Sequence, residues 1–181
     1  MRFDKFTIKS QELIQNAQSM ASEHNNQQIE PEHLLLAMLN EPEGIARSML
    51  NKLGVSWDDV SRELSEAIDK LPKVSGSSMG DAFISPRTKS VLDAAFAEAA
   101  KMKDQYVSIE HILLAIADEK AGGAARILRA NGVIGGAGAG RVLVRNEALL
   151  EVGASGGTLV LSNANLDFLA IEGDDRDGDG R

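Results

Sequence analysis

Apolar residues recur at helical spacing through the first 133 positions of this chain of 181 residues. Leu13, Ile14, Ala17 and Ala21 form one stripe, which predicts a first amphipathic helix. Pro31 suits the first turn of a second helix, whose run Leu34-Leu35-Leu36-Ala37-Met38-Leu39 is apolar nearly all round and so belongs in the centre of the fold. Ala46, Met49, Leu50 and Leu53 mark a third helix, and Gly54 stands where a left-handed residue closes it. Ser56 then serves as an N-cap, with Asp59 three residues on, ahead of the stripe Trp57, Val60, Leu64, Ile68 and Leu71. Pro72 ends that fourth helix. Residues 73–83 read as a linker, polar and glycine-containing over most of their length. Ser85-Pro86 opens a fifth helix with Val91, Leu92, Ala95, Ala99 and Met102 on its buried face. Ser108 caps a sixth, and Ala124 to Asn131 form a seventh before Gly132.

The pattern repeats itself. Residues 6–55 lie on residues 84–133 at a constant offset of 78, without a gap. Glu32-His33 falls on Glu110-His111, Leu35-Leu36-Ala37 on Leu113-Leu114-Ala115, and Gly54-Val55 on Gly132-Val133. Ala17, Ala21, Gln27 and Glu41 meet identical partners at Ala95, Ala99, Gln105 and Glu119. One supersecondary unit is therefore used twice, each copy burying its apolar face against the other. The fold class expected is all-α, with repeat one at 6–72, the linker at 73–83 and repeat two at 84–133.

Symmetry calls for an eighth helix from residue 134, the counterpart of Ser56-Trp57-Asp58-Asp59-Val60. The chain instead reads Ile134-Gly135-Gly136-Ala137-Gly138-Ala139-Gly140. Each glycine costs about 1 kcal/mol in a helix interior, and no capping residue precedes them. Residues 134–181 hold 10 of the 17 glycines and contain no Lys, Pro, His, Gln or Met. Val142-Leu143-Val144, Leu159-Val160-Leu161 and Phe168-Leu169-Ala170-Ile171 are candidate short strands, and the last ten residues have the composition of a disordered acidic end. Two origins fit this atypical tail: an out-of-frame reading of a GC-rich gene, or a natural fusion to a short β segment.

Charge and composition narrow the function. Lys and Arg number 19 against 27 Asp and Glu, a net charge of −8, which disfavours a generic nucleic-acid binder. The absence of cysteine excludes disulfides, thiolate metal sites and a Cys nucleophile, and is compatible with a cytoplasmic location. The start Met-Arg-Phe-Asp-Lys lacks the apolar core of a signal peptide, and no run approaches the 18 apolar residues of a membrane helix.

Several segments carry a family resemblance. They are Asp4-Lys5-Phe6-Thr7-Ile8-Lys9-Ser10-Gln11-Glu12, Pro31-Glu32-His33-Leu34-Leu35-Leu36-Ala37, Leu71-Pro72-Lys73-Val74-Ser75-Gly76 and Tyr106-Val107-Ser108-Ile109-Glu110-His111-Ile112-Leu113-Leu114-Ala115. In this order and spacing they resemble the Clp N-terminal double-repeat domain, and within it the ClpB-type disaggregases. The resemblance implies an eight-helix domain at the mouth of a hexameric ATP-driven unfoldase. Such a domain is not an enzyme and needs no cofactor; it contacts unfolded or aggregated protein. The full-length hexamer and its chaperone partners are further expected partners. No G-x-x-x-x-G-K-[ST] occurs in the chain, so the phosphate-cradling loop of the family's motor is not within it. The rival reading is a stand-alone helical adaptor that docks a partner protein.

Thr7, Asp104 and Glu110 match positions that the resemblance associates with substrate contact. Thr7 has a second reading as a helix cap, and Glu110 as a carboxylate at a helix N-terminus. Peptide binding also needs apolar surface, expected in a groove beside the second repeat, with Phe96 and Tyr106 as candidates for either groove or core. His33 and His111 read as packing and capping residues rather than metal ligands, since neither has H-E-x-x-H spacing. Asp175-Arg176-Asp177-Gly178-Asp179-Gly180 matches the opening of a calcium loop without the bidentate Glu at position 12. No metal site, Ser-His-Asp arrangement or other catalytic set is expected.

Overall fold

The computed structural model describes residues 3–74, 81–135, 141–144, 148–152 and 159–163. After a short 3-10 turn at Phe3–Lys5, four helices form the first repeat: α1 (Ile8–Glu23), α2 (Pro31–Asn40), α3 (Ile45–Lys52) and α4 (Trp57–Asp69). The second repeat contributes α5 (Pro86–Lys101), α6 (Ile109–Ala117) and α7 (Gly123–Ala130). Five of these seven helices begin at a side-chain cap or a first-turn proline, while α3 and α7 begin at Gly44 and Gly122 without a side-chain cap. Thr7 accepts a hydrogen bond from Ser10 N–H at 3.2 Å, Ser56 from Asp59 N–H at 3.3 Å and Ser85 from Thr88 N–H at 3.0 Å. Pro31 and Pro86 hold first-turn positions, and Gly54 and Gly132 turn the chain out of α3 and α7 with φ of 69° and 94°.

The two central helices are α2 and α6. Residues Pro31 to Leu39 are all buried, as are His111 to Ala117. Around them α1, α4, α5 and α7 bury narrower stripes, so a single core joins both repeats. Burying each leucine of α2 contributes about 2 kcal/mol, enough to keep this segment internal whatever its end residues prefer.

Each repeat begins by pairing with the other. β1 (Gln28–Ile29) lies parallel to β2 (Phe83–Ile84), joining Ile29 to Ile84, and an isolated parallel bridge joins Phe6 to Val107. Adding 78 to Phe6 and to Ile29 gives Ile84 and Val107, so these are one contact seen twice. Thr7 N–H donates to Val107 C=O at 3.0 Å and Ser85 N–H to Ile29 C=O at 3.2 Å. The crossed pairings relate the repeats by an approximate two-fold and set the N-terminus of α1 beside that of α6, and α5 beside α2.

No eighth helix begins at residue 134 among the described residues. β3 (Val133–Gly135) covers that position and pairs antiparallel with β4 (Arg141–Val144), followed by β5 (Ala148–Val152) and β6 (Leu159–Asn163) in the order β3-β4-β5-β6. The strands expected at 142–144 and 159–161 fall within β4 and β6. β5 was not expected. The strand read at 168–171 and the acidic segment 175–180 lie outside the described residues.

Candidate functional site

A groove of about 530 Å³ opens where the two repeats meet. Its walls are the start of α1, the corner between α2 and α3, and the start of α6. Leu13, Ala37, Met38, Ile45, Ala46 and Ile109 give it an apolar floor. Its polar rim comprises Thr7, Lys9, Asn16, Ser108 and the carboxylates of Glu12, Glu41, Glu43 and Glu110. Four acidic side chains against one lysine make the rim negative, in keeping with the chain's net charge of −8.

Thr7 and Glu110 therefore line the same groove, one from each repeat. Thr7 is also the cap of α1; its Oγ1 lies 2.9 Å from Ser10 Oγ. Glu110 sits in the first turn of α6, where the positive end of the helix favours a carboxylate. The other three candidates are not among the lining residues. Tyr106, two residues before the lining residue Ser108, is 51% exposed, with Lys5 Nζ 5.7 Å from its ring centre. Phe96 packs edge-on against Phe6, ring centres 5.0 Å apart at 77°, and contributes to the core from its half-buried position. Asp104 turns toward His111, with Oδ2 3.1 Å from Nε2. The contact lacks hydrogen-bond geometry, and Nε2 has no hydrogen-bond partner among the described residues.

The two histidines do the same work in each repeat. Nδ1 of His33 accepts from Glu30 N–H at 2.9 Å and Nδ1 of His111 from Ser108 N–H at 3.0 Å, so both satisfy the N–H that precedes their own helix. Burial holds the His33 pKa down at about 4, against the opposing pull of Glu32, and the ring is neutral at pH 7. Among the described residues no cluster of three or more His, Cys, Asp or Glu is arranged to hold a metal ion.

The sequence led us to expect a groove beside the second repeat; this groove takes its lining from both repeats, because the crossed pairings of Phe6 with Val107 and Ile29 with Ile84 bring α1 to α6. Lys9, Met38, Glu41 and Ile45 escaped notice for the same reason: their stripes mark them only as helix positions. Outside the groove lining, Arg47 ties α3 to its neighbours, its guanidinium 3.8 Å from the centre of the Trp57 ring and its Nε donating to Leu39 C=O.

The profile of the Clp repeat (R) N-terminal domain matches residues 5–131. The chaperone protein ClpB of Porphyromonas gingivalis is 41% identical over 116 residues, covering 64% of this chain and 13% of that protein. ClpB of Rhodopseudomonas palustris is 35% identical over 133 residues, 74% of this chain and 15% of that protein. The chain thus spans about one seventh of the length of these relatives. Among solved structures, the Hsp104 N-terminal domain from Candida albicans superposes with a TM-score of 0.62 at 25% identity, covering 70% of this chain and 81% of that one. A ClpV N-domain in complex with a VipB peptide superposes with a TM-score of 0.57 at 17% identity, over 71% and 79%. No helix among the described residues is long and apolar enough to cross a membrane. Two helical repeats joined through crossed strand pairings, matched by this profile over most of their length, place the chain in the Clp repeat N-terminal domain family.

Proposed function

We propose that the chain binds exposed segments of unfolded or aggregated polypeptide through the groove between α1, α3 and α6, as the non-catalytic N-terminal domain of a ClpB-like disaggregase of the cytoplasm. A full-length hexamer of ClpB type and its chaperone partners are the further partners of this reading. The observation that carries this reading is the groove itself: an apolar floor of Leu13, Met38, Ile45 and Ile109 framed by Thr7 and Glu110. An extended segment seats its apolar side chains on such a floor while the polar rim meets its backbone, so affinity is weak and tolerant of sequence. Tyr106 flanks the opening as an exposed aromatic contact. Asp104 and Phe96 act from behind, through His111 and Phe6.

Hydrogen–deuterium exchange with and without casein, a natively unstructured probe, tests the reading. Added protection is expected at residues 7–13, 43–46 and 106–112. Unchanged exchange in all three segments at saturating casein would overturn it. The adaptor reading draws on the ClpV N-domain solved with a VipB peptide. It predicts tight binding of one defined sequence, whereas the proposed function predicts comparable binding of unrelated unfolded chains.

A further inference from the structure

The two capping histidines sit in different surroundings, and the differences fall on both edges of the His111 ring. Subtracting 78 takes Asp104, Ser108 and His111 to Asn26, Glu30 and His33. In repeat one the ring is held in a single state. His33 Nδ1 accepts from Glu30 N–H at 2.9 Å, and Nε2 meets the amide oxygen of Asn26 at 3.1 Å. The Glu30 carboxylate is engaged elsewhere, by Ser85 Oγ at 2.9 Å and by Arg87 Nη1 at 3.3 Å.

His111 keeps the same cap, with Nδ1 accepting from Ser108 N–H at 3.0 Å. At Nε2 the neutral amide has become a carboxylate, with Asp104 Oδ2 3.1 Å away. At Nδ1 a hydroxyl has arrived, with Ser108 Oγ 2.9 Å away. The residue is 2% exposed, and Nε2 has no hydrogen-bond partner among the described residues. A neutral ring with its proton on Nε2 offers Nδ1 to the Ser108 N–H. A ring with two protons donates from both edges, and here both edges face oxygen: the Asp104 carboxylate and Ser108 Oγ. The Ser108 N–H then loses its acceptor at the start of α6. The second repeat therefore offers its histidine two arrangements of protons where the first offers one.

We infer that His111 is a proton-operated latch on the start of α6, which caps the helix when neutral and, when charged, turns to Asp104 and Ser108 Oγ and releases the Ser108 N–H. The latch reaches the groove because Ser108, Ile109 and Glu110 line it. That coupling to binding rests on the proposed function. Other charges surround the latch at greater range. Glu110 follows on α6 itself, Lys9 and Glu12 face the groove from α1, and Glu41 and Glu43 face it from the corner of α2 and α3. Lys5 turns to the Tyr106 ring. Glu98, Lys101 and Arg129, from α5 and α7, gather at Asp118 beyond the other end of α6, and Arg87 binds Glu119 there.

The test follows the histidine ring nitrogens of the 181-residue chain by NMR from pH 8.0 to 5.5, the range in which histidine changes charge. His111 is expected to pass from one protonated nitrogen to two, with the Ser108 amide shifting in step. His33 is expected to keep a single proton, since burial holds its pKa down at about 4. Asp104→Asn copies the pair of repeat one and should leave His111 with one proton throughout. Ser108→Gly keeps a favourable cap residue but removes the oxygen at Nδ1, and should move the transition to lower pH. A folded wild type whose His111 holds one proton down to pH 5.5 would overturn the inference, as would an unchanged transition in Asp104→Asn. Should Asp104→Asn not fold, Ser108→Gly carries the test, and an unchanged transition there counts equally against the latch. Casein affinity then separates latch from groove. Between pH 7.5 and 6.0 it should fall about threefold further in wild type than in Asp104→Asn, the worth of one lost cap hydrogen bond. Equal falls in the two chains would overturn the coupling inferred here. No casein binding at either pH would overturn the proposed function, with the ring titration still deciding the latch.

Discussion

His33 Nε2 lies 3.1 Å from Asn26 Oδ1, and the same two positions in the second repeat hold His111 and Asp104, again 3.1 Å apart. In repeat one the roles are fixed. Nδ1 accepts from Glu30 N–H, so Nε2 carries the proton and donates to the amide oxygen, while Asn26 Nδ2 donates to Pro72 C=O at 3.1 Å. Neither acceptance at Nδ1 nor a neutral amide partner accommodates a second proton on the ring.

That relationship makes stability depend on pH. Burial lowers the His33 pKa from 6.5 to about 4. The unfolded chain therefore binds more protons than the folded one between those values. The stabilisation is present above pH 6.5 and is lost as pH falls toward 4, by about 3 kcal/mol in all. Urea unfolding at pH 7, 6, 5 and 4.5 measures it, and His33→Gln should flatten this part of the profile. An equally steep profile in the variant would assign the dependence to other groups.

Repeat symmetry also predicts two different responses to glycine. Asn25 and Lys103 are equivalent positions with φ of 60° and 62°, each followed by an N–H that returns to the helix, Asn26 to Ala21 C=O at 2.8 Å and Asp104 to Ala99 C=O at 2.9 Å. Asparagine tolerates the left-handed region through its short polar side chain, and lysine does not. Lys103→Gly should gain about 0.5–1 kcal/mol after the entropy of glycine is counted, and Asn25→Gly about zero. Thermal melts of both variants decide it; a larger gain for Asn25→Gly would contradict the argument.

Much of this architecture was legible in the sequence, and the limits have physical causes. Seven helices with their caps follow from local rules, because the spacing of Leu13, Ala17 and Ala21, or a serine before Pro86, acts within one turn. The offset of 78 exposed the repeat and, through it, the unusual chain after Val133. Contacts between repeats were hidden. Nothing in the spacing of Glu32 says that its carboxylate closes on the N-terminus of α7, 92 residues away, or that Arg87 bridges Glu30, Glu32 and Glu119. For the same reason Thr7 and Glu110 emerged as separate candidates and only the fold set them in one groove.

Binding should follow the groove rather than the whole set of candidates. Glu110 makes no ion pair among the described residues, so Glu110→Ala removes rim charge at little structural cost. It should weaken casein binding about three- to tenfold, with stability within about 0.5 kcal/mol of wild type. Thr7→Ala also removes the α1 cap, which costs about 1 kcal/mol, whereas Thr7→Ser keeps the hydroxyl and the cap. Fluorescence anisotropy with labelled casein, alongside melts, separates the effects. Full affinity in Glu110→Ala would remove this residue from the site.

Gly123 gives the most direct test of the contacts that hold Glu32, which accepts from Ala124 N–H and pairs with Arg87 beside Glu30 and Glu119. An alanine in the first turn of a helix is ordinarily favourable, by up to about 1 kcal/mol over glycine. Here its Cβ would fall 2.4 Å from Glu32 Oε1, and that carboxylate is held by Ala124 N–H and by Arg87. To make room, Glu32 must give up at least one of these partners while its side chain stays 4% exposed. Gly123→Ala should therefore destabilise the fold by about 1–2 kcal/mol net, in spite of helix propensity. Arg87→Ala should cost about 2–3 kcal/mol, less than a fully buried pair because the outer edge of the guanidinium meets solvent. The two effects share Glu32 as their common partner, so they should not add. A double variant whose loss equals the sum of the singles would separate the helix cap from the ion cluster, and a loss smaller than that sum would show that Glu32 couples them.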